Sequence, residues 1–198
     1  MSGEKPIEPW RLIESTYAYR DRWLSLRSDS VRLPNGGTLS PYHVIELADW
    51  VNVVAISASG HMLLVEQYRH AVGGTLLEIP AGHVDPQEAL EAAARRELLE
   101  ETGYGGGTWH ALGALHPAAS RFTNQVHAFL AMGVTRLAPP VEEESENLRP
   151  HEIPWPDFAD GLRSGRLRLR EANQMSTLLL LHLFAGSSSD PAIRRLTL

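Results

Sequence analysis

The sequence of 198 residues predicts an α+β fold, a mixed α/β/α sandwich. Paired β-type runs separated by turn-forming residues are typical of antiparallel hairpins. One long Ala-rich segment is bounded by helix start and stop residues. Because strands and helices of these kinds are interleaved along the chain, and the strands form antiparallel hairpins, they indicate helices packed on a mixed sheet.

The N-terminal region, 1–48, is predicted to be antiparallel β structure preceding a second domain over 49–198. We expect residues 1–9 to be a loose polar tail, and their sequence lacks the apolar core of a signal peptide. The Pro-Asn-Gly-Gly sequence at 34–37 is a strong hairpin turn signal, and 39–46 returns as the second arm. Shorter β-type runs precede this turn at 15–19, 24–27 and 31–33.

The second domain begins with a more buried hairpin, 51–56 and 61–67, followed by a short strand over 76–79. Further strands are predicted over 109–115 and 126–132. An acidic, proline-flanked loop covers 138–150, a short helix begins near Pro156, and a last amphipathic helix spans 171–184.

One helix has strong local start and stop signals. Asp85 is a candidate N-cap, Pro86 suits the first helical position, and Glu88 completes a capping box. Helix-forming residues continue to Glu101, and Gly103 is a good C-terminal stop.

The composition excludes several classes of protein. There are 18 Lys and Arg residues against 24 Asp and Glu, a formal net charge of −6, so bulk electrostatics disfavour a nucleic-acid partner. With no Cys, the chain has no disulfide and no thiolate metal site. No apolar run approaches the length of a membrane span. We expect a cytoplasmic protein without a membrane partner.

The predicted helix carries three carboxylates on one face. Glu97, Glu100 and Glu101 stand at i, i+3 and i+4, where like charges repel one another. This acidic cluster borders an apolar strip formed by Leu90, Ala93 and Ala94. A hard divalent cation such as Mg²⁺, which prefers oxygen ligands, explains the cluster. The alternatives are a solvated acidic face and an ordinary helix pair between Arg96 and Glu100.

The wider spacing is Gly82-x5-Glu88-x7-Arg96-Glu97-Leu98-x-Glu100-Glu101-x-Gly103-Tyr104. This pattern fills every defining position of the Nudix box, and the chain resembles a Nudix hydrolase. The resemblance implies a Nudix fold, with a loop–helix–loop against a mixed sheet, and hydrolysis of a nucleoside diphosphate linked to another moiety.

The resemblance also implies roles for individual residues. Glu97 and Glu101 would be the principal Mg²⁺ ligands (Mn²⁺ is a substitute), and Glu100 a ligand or a partner of bound water. The carbonyl of Ala81, or of Gly82, would complete the ligand set. Arg96 would have a catalytic role by orienting the acidic cluster, whereas Glu88 would have a structural role by capping the helix.

The segments before the box resemble the ADP-ribose/ADP-sugar pyrophosphatase branch of the family. They read Glu66-Gln67-Tyr68-Arg69 and Leu77-Glu78-Ile79-Pro80-Ala81-Gly82. In this branch Arg69 would contact phosphate, since a planar guanidinium suits a diphosphate, and Glu78 would belong to the substrate site. The alternative is that Arg69 is a surface residue at a strand end.

In the same branch the N-terminal strands build a homodimer and supply aromatic residues that stack on adenine. Trp23 matches one stacking position and Tyr42 falls near the other; only a π face is needed. Trp50, at the start of a core strand, is a less favoured alternative. Both Trp23 and Tyr42 could instead pack in a hairpin core.

The branch takes its water-orienting carboxylate from a loop after the last core strand. Glu146 aligns best with it, and Glu142, Glu143 and Glu144 remain alternatives. The loop after the box departs from the branch: its usual Ser-Pro-Gly turn is replaced in His116–Gln125. We therefore predict that Arg121, and also Asn124, contact the second moiety of the substrate. His116 and His127 are interpreted as loop or core residues.

The predicted function is Mg²⁺-dependent hydrolysis of ADP-ribose or a related nucleoside diphosphate sugar to a nucleoside monophosphate and a sugar phosphate. The altered loop leaves UDP-glucose, GDP-mannose or a dinucleotide as alternative substrates. A non-catalytic nucleotide-sensing module is the alternative of a different class, although it would not need the full set of carboxylates.

Overall fold

A computed structural model describes residues 6–141 and 147–198. The chain divides into two compact units, each with its own sheet. The first comprises Met1–Ala48 and Ala118–Asn124, and the second comprises Asp49–Pro117 and Gln125–Leu198.

The first unit contains a three-stranded antiparallel sheet in the order β1-β2-β3. The predicted turn at 34–37 is confirmed, because the Leu33 N–H donates to the Gly37 carbonyl at 2.9 Å. The runs predicted at 24–27 and 31–33 belong to one continuous strand. The bounds are β1 (Arg11–Arg20), β2 (Ser25–Arg32) and β3 (Thr38–Glu46).

The second unit is built on a mixed sheet. Its main path runs β11-β5-β4-β10-β8, while β6 pairs with β5, β7 with β4 and β9 with β10. The β10–β4 pair is parallel and the other pairs are antiparallel. The strands are β4 (Trp50–Ser57), β5 (His61–Arg69), β6 (Gly74–Glu78), β7 (Ala81–His83), β8 (Tyr104–Gly105), β9 (Thr108–Leu115), β10 (Val126–Arg136) and β11 (Leu148–Pro154).

Helices cover both faces of this sheet, which confirms the predicted α/β/α sandwich. On β4, Val51, Val53 and Ala55 face α1, whereas Val54 and Ile56 pack in the core that includes α2 and α3. This alternation follows from the two-residue period of a strand. The helices are α1 (Leu90–Thr102), α2 (Trp155–Arg163), α3 (Ala172–Ser187) and α4 (Pro191–Arg194). No described helix is both long and apolar enough to cross a lipid bilayer.

The sheet of the second unit forks. β4 and β5 pair only at Ala55 with Leu63 and at Ile56 with Met62. Beyond these pairs, β4 pairs with β7 while β5 pairs with β6. The short connection 79–80 joins the two branches, so a cleft opens between them.

The helix after this connection begins later than predicted. α1 starts at Leu90 and not at Pro86, because Gln87 has φ = +70°, which is incompatible with a right-handed helix. The Asp85 N–H donates to the Glu88 carboxylate at 3.1 Å, but this bond lies in the turn before α1. The N-cap of α1 is Ala89, which has no side-chain cap hydrogen bond, so the predicted capping of the helix by Asp85 and Glu88 is wrong. The predicted stop is confirmed: Gly103 is the C-cap with φ = +75°.

The predicted acidic loop 138–150 is wrong at its C-terminal end. Residues 148–150 belong to β11, and Pro150 lies opposite Val65 of β5. A proline is tolerated here because β11 is an edge strand and need not donate a hydrogen bond on its outer side. The two-residue strand β8 and the single-turn helix α4 were also not predicted.

Candidate active site

Helix α1 presents the acidic cluster beside the core. Ala93, Ala94 and Leu98 are fully buried and hold the helix against the sheet. Glu101 is 4% exposed, whereas the side chain of Glu97 is 13% exposed. The i, i+3, i+4 spacing therefore carries the carboxylates from the core boundary towards solvent, where the Glu100 side chain is 37% exposed.

Arg96 organises the outer part of this cluster. Its Nη1 donates to Glu97 at 2.8 Å and to Glu100 at 3.0 Å, while Nε and Nη2 each donate to Glu88 at 3.0 Å. Nη2 also donates to the His83 carbonyl at 2.9 Å. The bonds to Glu88, followed by the charge of Glu97, raise the pKa of Arg96. One guanidinium thus holds three carboxylates and a backbone carbonyl.

Strand β7 supplies the other wall of the cluster. The Ala81 N–H donates to Glu101 at 3.0 Å, which fixes this buried carboxylate against the strand. A Cβ added to Gly82 would overlap the carboxylate of Glu97. A side chain at position 82 would therefore displace the Glu97 carboxylate, whereas the backbone conformation there does not itself call for glycine.

These groups have the chemistry to hold a divalent cation. Glu97, Glu100 and Glu101 offer carboxylate oxygens, and the carbonyl of Ala81 is adjacent to the N–H that Glu101 already accepts from. Such a set of hard oxygen donors suits Mg²⁺ or Ca²⁺ and not a soft metal. Among residues 6–141 and 147–198, however, no three acidic or histidine side chains converge into a complete cation site. The donors fit a cation that also takes ligands from water or substrate.

The predicted phosphate-contacting arginine lies on β5. Nε of Arg69 donates to both Glu78 oxygens at 3.0 and 3.1 Å, and Nη2 donates at 2.6 Å. The Glu78 side chain is 2% exposed. Burial lowers the pKa of Arg69, but the bonds and charge of Glu78, with the charges of Glu171 and Glu101, raise it overall. Within the described part of the chain, Nη1 has no hydrogen-bond partner.

The start of α3 contributes residues that the motif-based prediction missed. Gln174 is fully buried; its Oε1 accepts from the Ile79 N–H at 2.9 Å, and its Nε2 donates to Glu171 at 3.0 Å. Burial and the charge of Glu78 raise the pKa of Glu171. A buried glutamine in a leucine-rich helix was the available sequence signal, because a buried amide needs polar partners.

The predicted base-stacking residues belong to the first unit. Trp23 lies in the β1–β2 turn, is 61% exposed, and has the Arg22 guanidinium 4.4 Å from its ring centroid. Tyr42 lies on β3, where its hydroxyl donates to the Ser120 carbonyl. The Arg121 guanidinium lies 5.3 Å from the Tyr42 ring centroid. The structure therefore brings Tyr42 and Arg121 together.

The remaining candidates have different positions. His127 contacts Asp49 at 3.1 Å and is mostly buried, His116 contacts Gln125 at 3.2 Å, and Asn124 is 7% exposed. The predicted water-orienting residue Glu146 lies outside the described residues, as do its alternatives Glu142, Glu143 and Glu144.

Comparison with known families identifies the class to which this fold and carboxylate helix belong. The NUDIX domain matches residues 47–174, and the nucleoside diphosphate sugar hydrolase N-terminal domain matches 10–45. The chain therefore belongs to the Nudix family, which confirms the predicted resemblance.

Two curated relatives show how similar the chain is to individual proteins of known name. An ADP-ribose pyrophosphatase of Mycobacterium tuberculosis is 37% identical over 123 residues, 62% of this chain and 59% of that protein. A CMP-5'-(N-acetyl-N-hydroxy-3-aminopropyl)phosphonate hydrolase of Streptomyces rubellomurinus is 31% identical over 148 residues, 73% of this chain and 69% of that protein. The chain spans less than two thirds of the length of several curated relatives that it matches.

A solved structure shares the fold over nearly the whole chain. The crystal structure of ADP compounds hydrolase covers 94% of this chain and 99% of its own with a TM-score of 0.79. Because the two sequences are 24% identical, the likeness shows the fold alone.

Proposed function

We propose that the protein hydrolyses the pyrophosphate of ADP-ribose or a related nucleoside diphosphate sugar, giving a nucleoside monophosphate and a sugar phosphate. Water adds across the phosphoanhydride, one P–O bond forms and one breaks. The observation that carries the proposal is the Arg96-centred carboxylate cluster beside Arg69, in a chain whose relatives include an ADP-ribose pyrophosphatase.

The cofactor we propose is Mg²⁺, with Mn²⁺ as a substitute. Glu97, Glu100 and Glu101, with the Ala81 carbonyl, would hold it. When bound, the cation supplies charge neutralisation, polarisation of phosphorus and a lowered pKa of bound water. The oxygen donors and the close approach of the Glu97 carboxylate to the backbone at Gly82 support this assignment.

Two arginine side chains would act beside the metal ion, one on the diphosphate and one on the carboxylate cluster. Glu78 fixes the plane of the Arg69 guanidinium through two donors and leaves Nη1 to contact a phosphate oxygen. Arg96 holds Glu97 and Glu100 in place before substrate arrives, so less ordering is needed on binding. Glu146 is the residue we propose to orient the attacking water.

The first unit would bind the nucleoside and join two copies of the chain. We propose that Trp23 and Tyr42 stack on the base, with Arg121 as a neighbouring substrate contact. Strand β1 is exposed along its whole length, and Leu12 and Tyr19 are each more than half exposed. So much uncovered apolar surface supports a homodimer formed through the N-terminal strands. The predicted cytoplasmic location and the absence of nucleic-acid and membrane partners stay predictions.

A second candidate is the same chemistry on another diphosphate-linked nucleotide. The replaced loop at His116–Gln125 and the relative that hydrolyses a CMP-linked phosphonate favour this alternative. UDP-glucose, GDP-mannose and dinucleotides are therefore included beside ADP-ribose in the test.

The test is turnover of that nucleotide panel with Mg²⁺, with each monophosphate product detected as inorganic phosphate after phosphatase treatment. We expect ADP-ribose or another nucleoside diphosphate sugar to have the highest kcat/KM. If no diphosphate-linked nucleotide is cleaved while calorimetry still detects nucleotide binding, the protein is a sensing module and the proposed hydrolysis is wrong.

A further inference from the structure

A cavity of about 250 Å³ lies in the fork between the β4–β7 and β5–β6 branches. It belongs entirely to the second unit, and its walls come from both branches and from the start of α3. The residues that matter here are Trp50, Arg69, Val72, Leu76, Glu78 and Glu171.

The cavity has an aromatic wall on the β4 side. Trp50 is half-buried, and the edge of the His83 ring packs on it with centroids 4.2 Å apart and planes at 74°. Leu76 and Val72 continue the apolar surface from the β5–β6 side. The indole is thus held in place by a neighbour while still lining the cavity, as expected of a preformed ligand site.

The cavity lining also contains two carboxylates, those of Glu78 and Glu171. Glu78 is already engaged by two donors of Arg69, whereas Glu171 accepts from the side chains of Gln174 and Asn173. An ionised carboxylate accepts about four hydrogen bonds, so Glu171 keeps the capacity to accept more. Gln174 in turn is anchored to the Ile79 N–H. Glu171 is therefore a half-buried, positioned acceptor at the cavity wall.

The aromatic wall and the carboxylate acceptor together favour one chemical class of ligand. A phosphate at Glu171 would meet like charge, and an adenine presents ring-nitrogen acceptors with a single amino donor. A sugar suits both the carboxylate and the aromatic wall, because its hydroxyls donate to a carboxylate and its C–H face packs on an aromatic ring. Arg69 also lines the cavity, so a phosphate-binding group stands next to the sugar position.

We propose that this cavity binds the sugar that leaves as sugar phosphate, with Trp50 packing on its ring and Glu171 accepting its hydroxyls, as specificity-determining residues. The inference rests on the proposed hydrolysis of a nucleoside diphosphate sugar. It assigns to Trp50 a contact with the sugar and not with the base, and it gives a role to Glu171, which lies far from the Nudix box in sequence.

The test is calorimetric binding of ribose 5-phosphate and of AMP to the full-length protein with Mg²⁺. We expect Trp50→Ala and Glu171→Gln to weaken ribose 5-phosphate at least tenfold and to leave AMP unchanged within twofold. Trp50→Phe keeps an aromatic face and is expected to retain most of the affinity. Glu91→Gln, an exposed carboxylate on α1, is the matched control.

The outcomes separate the alternatives. If the variants weaken AMP binding and leave ribose 5-phosphate binding intact, the nucleoside occupies the cavity and the inference is overturned. Unchanged binding of both ligands in the variants, or no binding of ribose 5-phosphate to the wild type, would also overturn it. If Trp50→Ala fails to fold, the binding measurements on Glu171→Gln test the inference. This variant should fold, because its amide oxygen still accepts the hydrogen bond from Gln174. Loss of sugar-phosphate binding in the variants, with no wild-type turnover of any nucleotide, would refute the proposed hydrolysis but support this cavity.

Discussion

Replacing Arg96 by alanine tests the organisation of the acidic cluster most directly. Arg96 pairs with Glu88, Glu97 and Glu100, whose side chains are 18%, 13% and 37% exposed. A solvent-screened pair contributes about 0.5 kcal/mol, and the two more buried pairs about 1 kcal/mol each. The variant should therefore lose about 2.5 kcal/mol of unfolding free energy, or about 5–10 °C in Tm.

The dependence on the cation makes this prediction specific. Without Arg96, Glu97 and Glu100 repel one another, and a bound divalent cation would offset that repulsion. Thermal denaturation of wild type and Arg96→Ala, in EDTA and in saturating Mg²⁺, is the assay. The difference in Tm should be larger in EDTA than in Mg²⁺.

Arg95→Ala is the matched control, because Arg95 pairs only with the exposed Glu91 on the helix and packs on the Trp109 ring. It should cost less than about 1 kcal/mol, with no dependence on Mg²⁺. Equal losses in the two arginine variants, or an Arg96→Ala loss that Mg²⁺ does not reduce, would refute the organising role of Arg96.

Three further predictions concern the same site. Gly82→Ala should force the Glu97 carboxylate aside, which costs about 1 kcal/mol of stability through the lost pair with Arg96 and on the order of 100-fold in kcat, measured by denaturation and initial rates. Gly186→Ala, where a Cβ meets open space, should be neutral or stabilising. Glu101→Gln keeps an acceptor for the Ala81 N–H, so Tm should hold while kcat falls at least about 100-fold; unchanged turnover would contradict its role as a ligand. Burial raises the pKa of Glu171 in the folded state. The stability that Glu171 contributes is therefore present below its unfolded pKa and is lost as the pH rises through its folded pKa. The Tm of Glu171→Gln should rise relative to that of wild type from about pH 4 to pH 7, and a pH-independent difference would contradict this.

Local signals predicted much of the second unit. The end of α1 follows from Gly103, which alone tolerates the left-handed conformation at low cost, and the acidic cluster follows from helical spacing. The start of α1 was wrong because Gln87 adopts positive φ, a conformation that nothing in its local sequence requires. The strand at Leu148–Pro150 was missed because its pairing with β5 is a long-range contact.

The cavity in the fork could not be predicted from motifs. Trp50 and Glu171 are 121 positions apart in the sequence, and only the topology that splits β4 from β5 brings both to one cavity. Arg69 and Glu78 were both predicted as substrate residues, but their mutual ion pair depends on the β5–β6 register, in which Arg69 lies opposite Gly74.

The fork separates two tasks along the backbone. The β4–β7 branch, through Ala81 and Gly82, supports the carboxylates of α1, while the β5–β6 branch carries Arg69 and the apolar wall at Leu76. The two branches are joined by the link 79–80, by the short turn between β4 and β5 and by two strand pairs. Substitutions that reshape the wall on one branch therefore need not displace the helix that packs beside the other. A chain built this way can acquire a new preferred substrate while its hydrolytic apparatus stays intact.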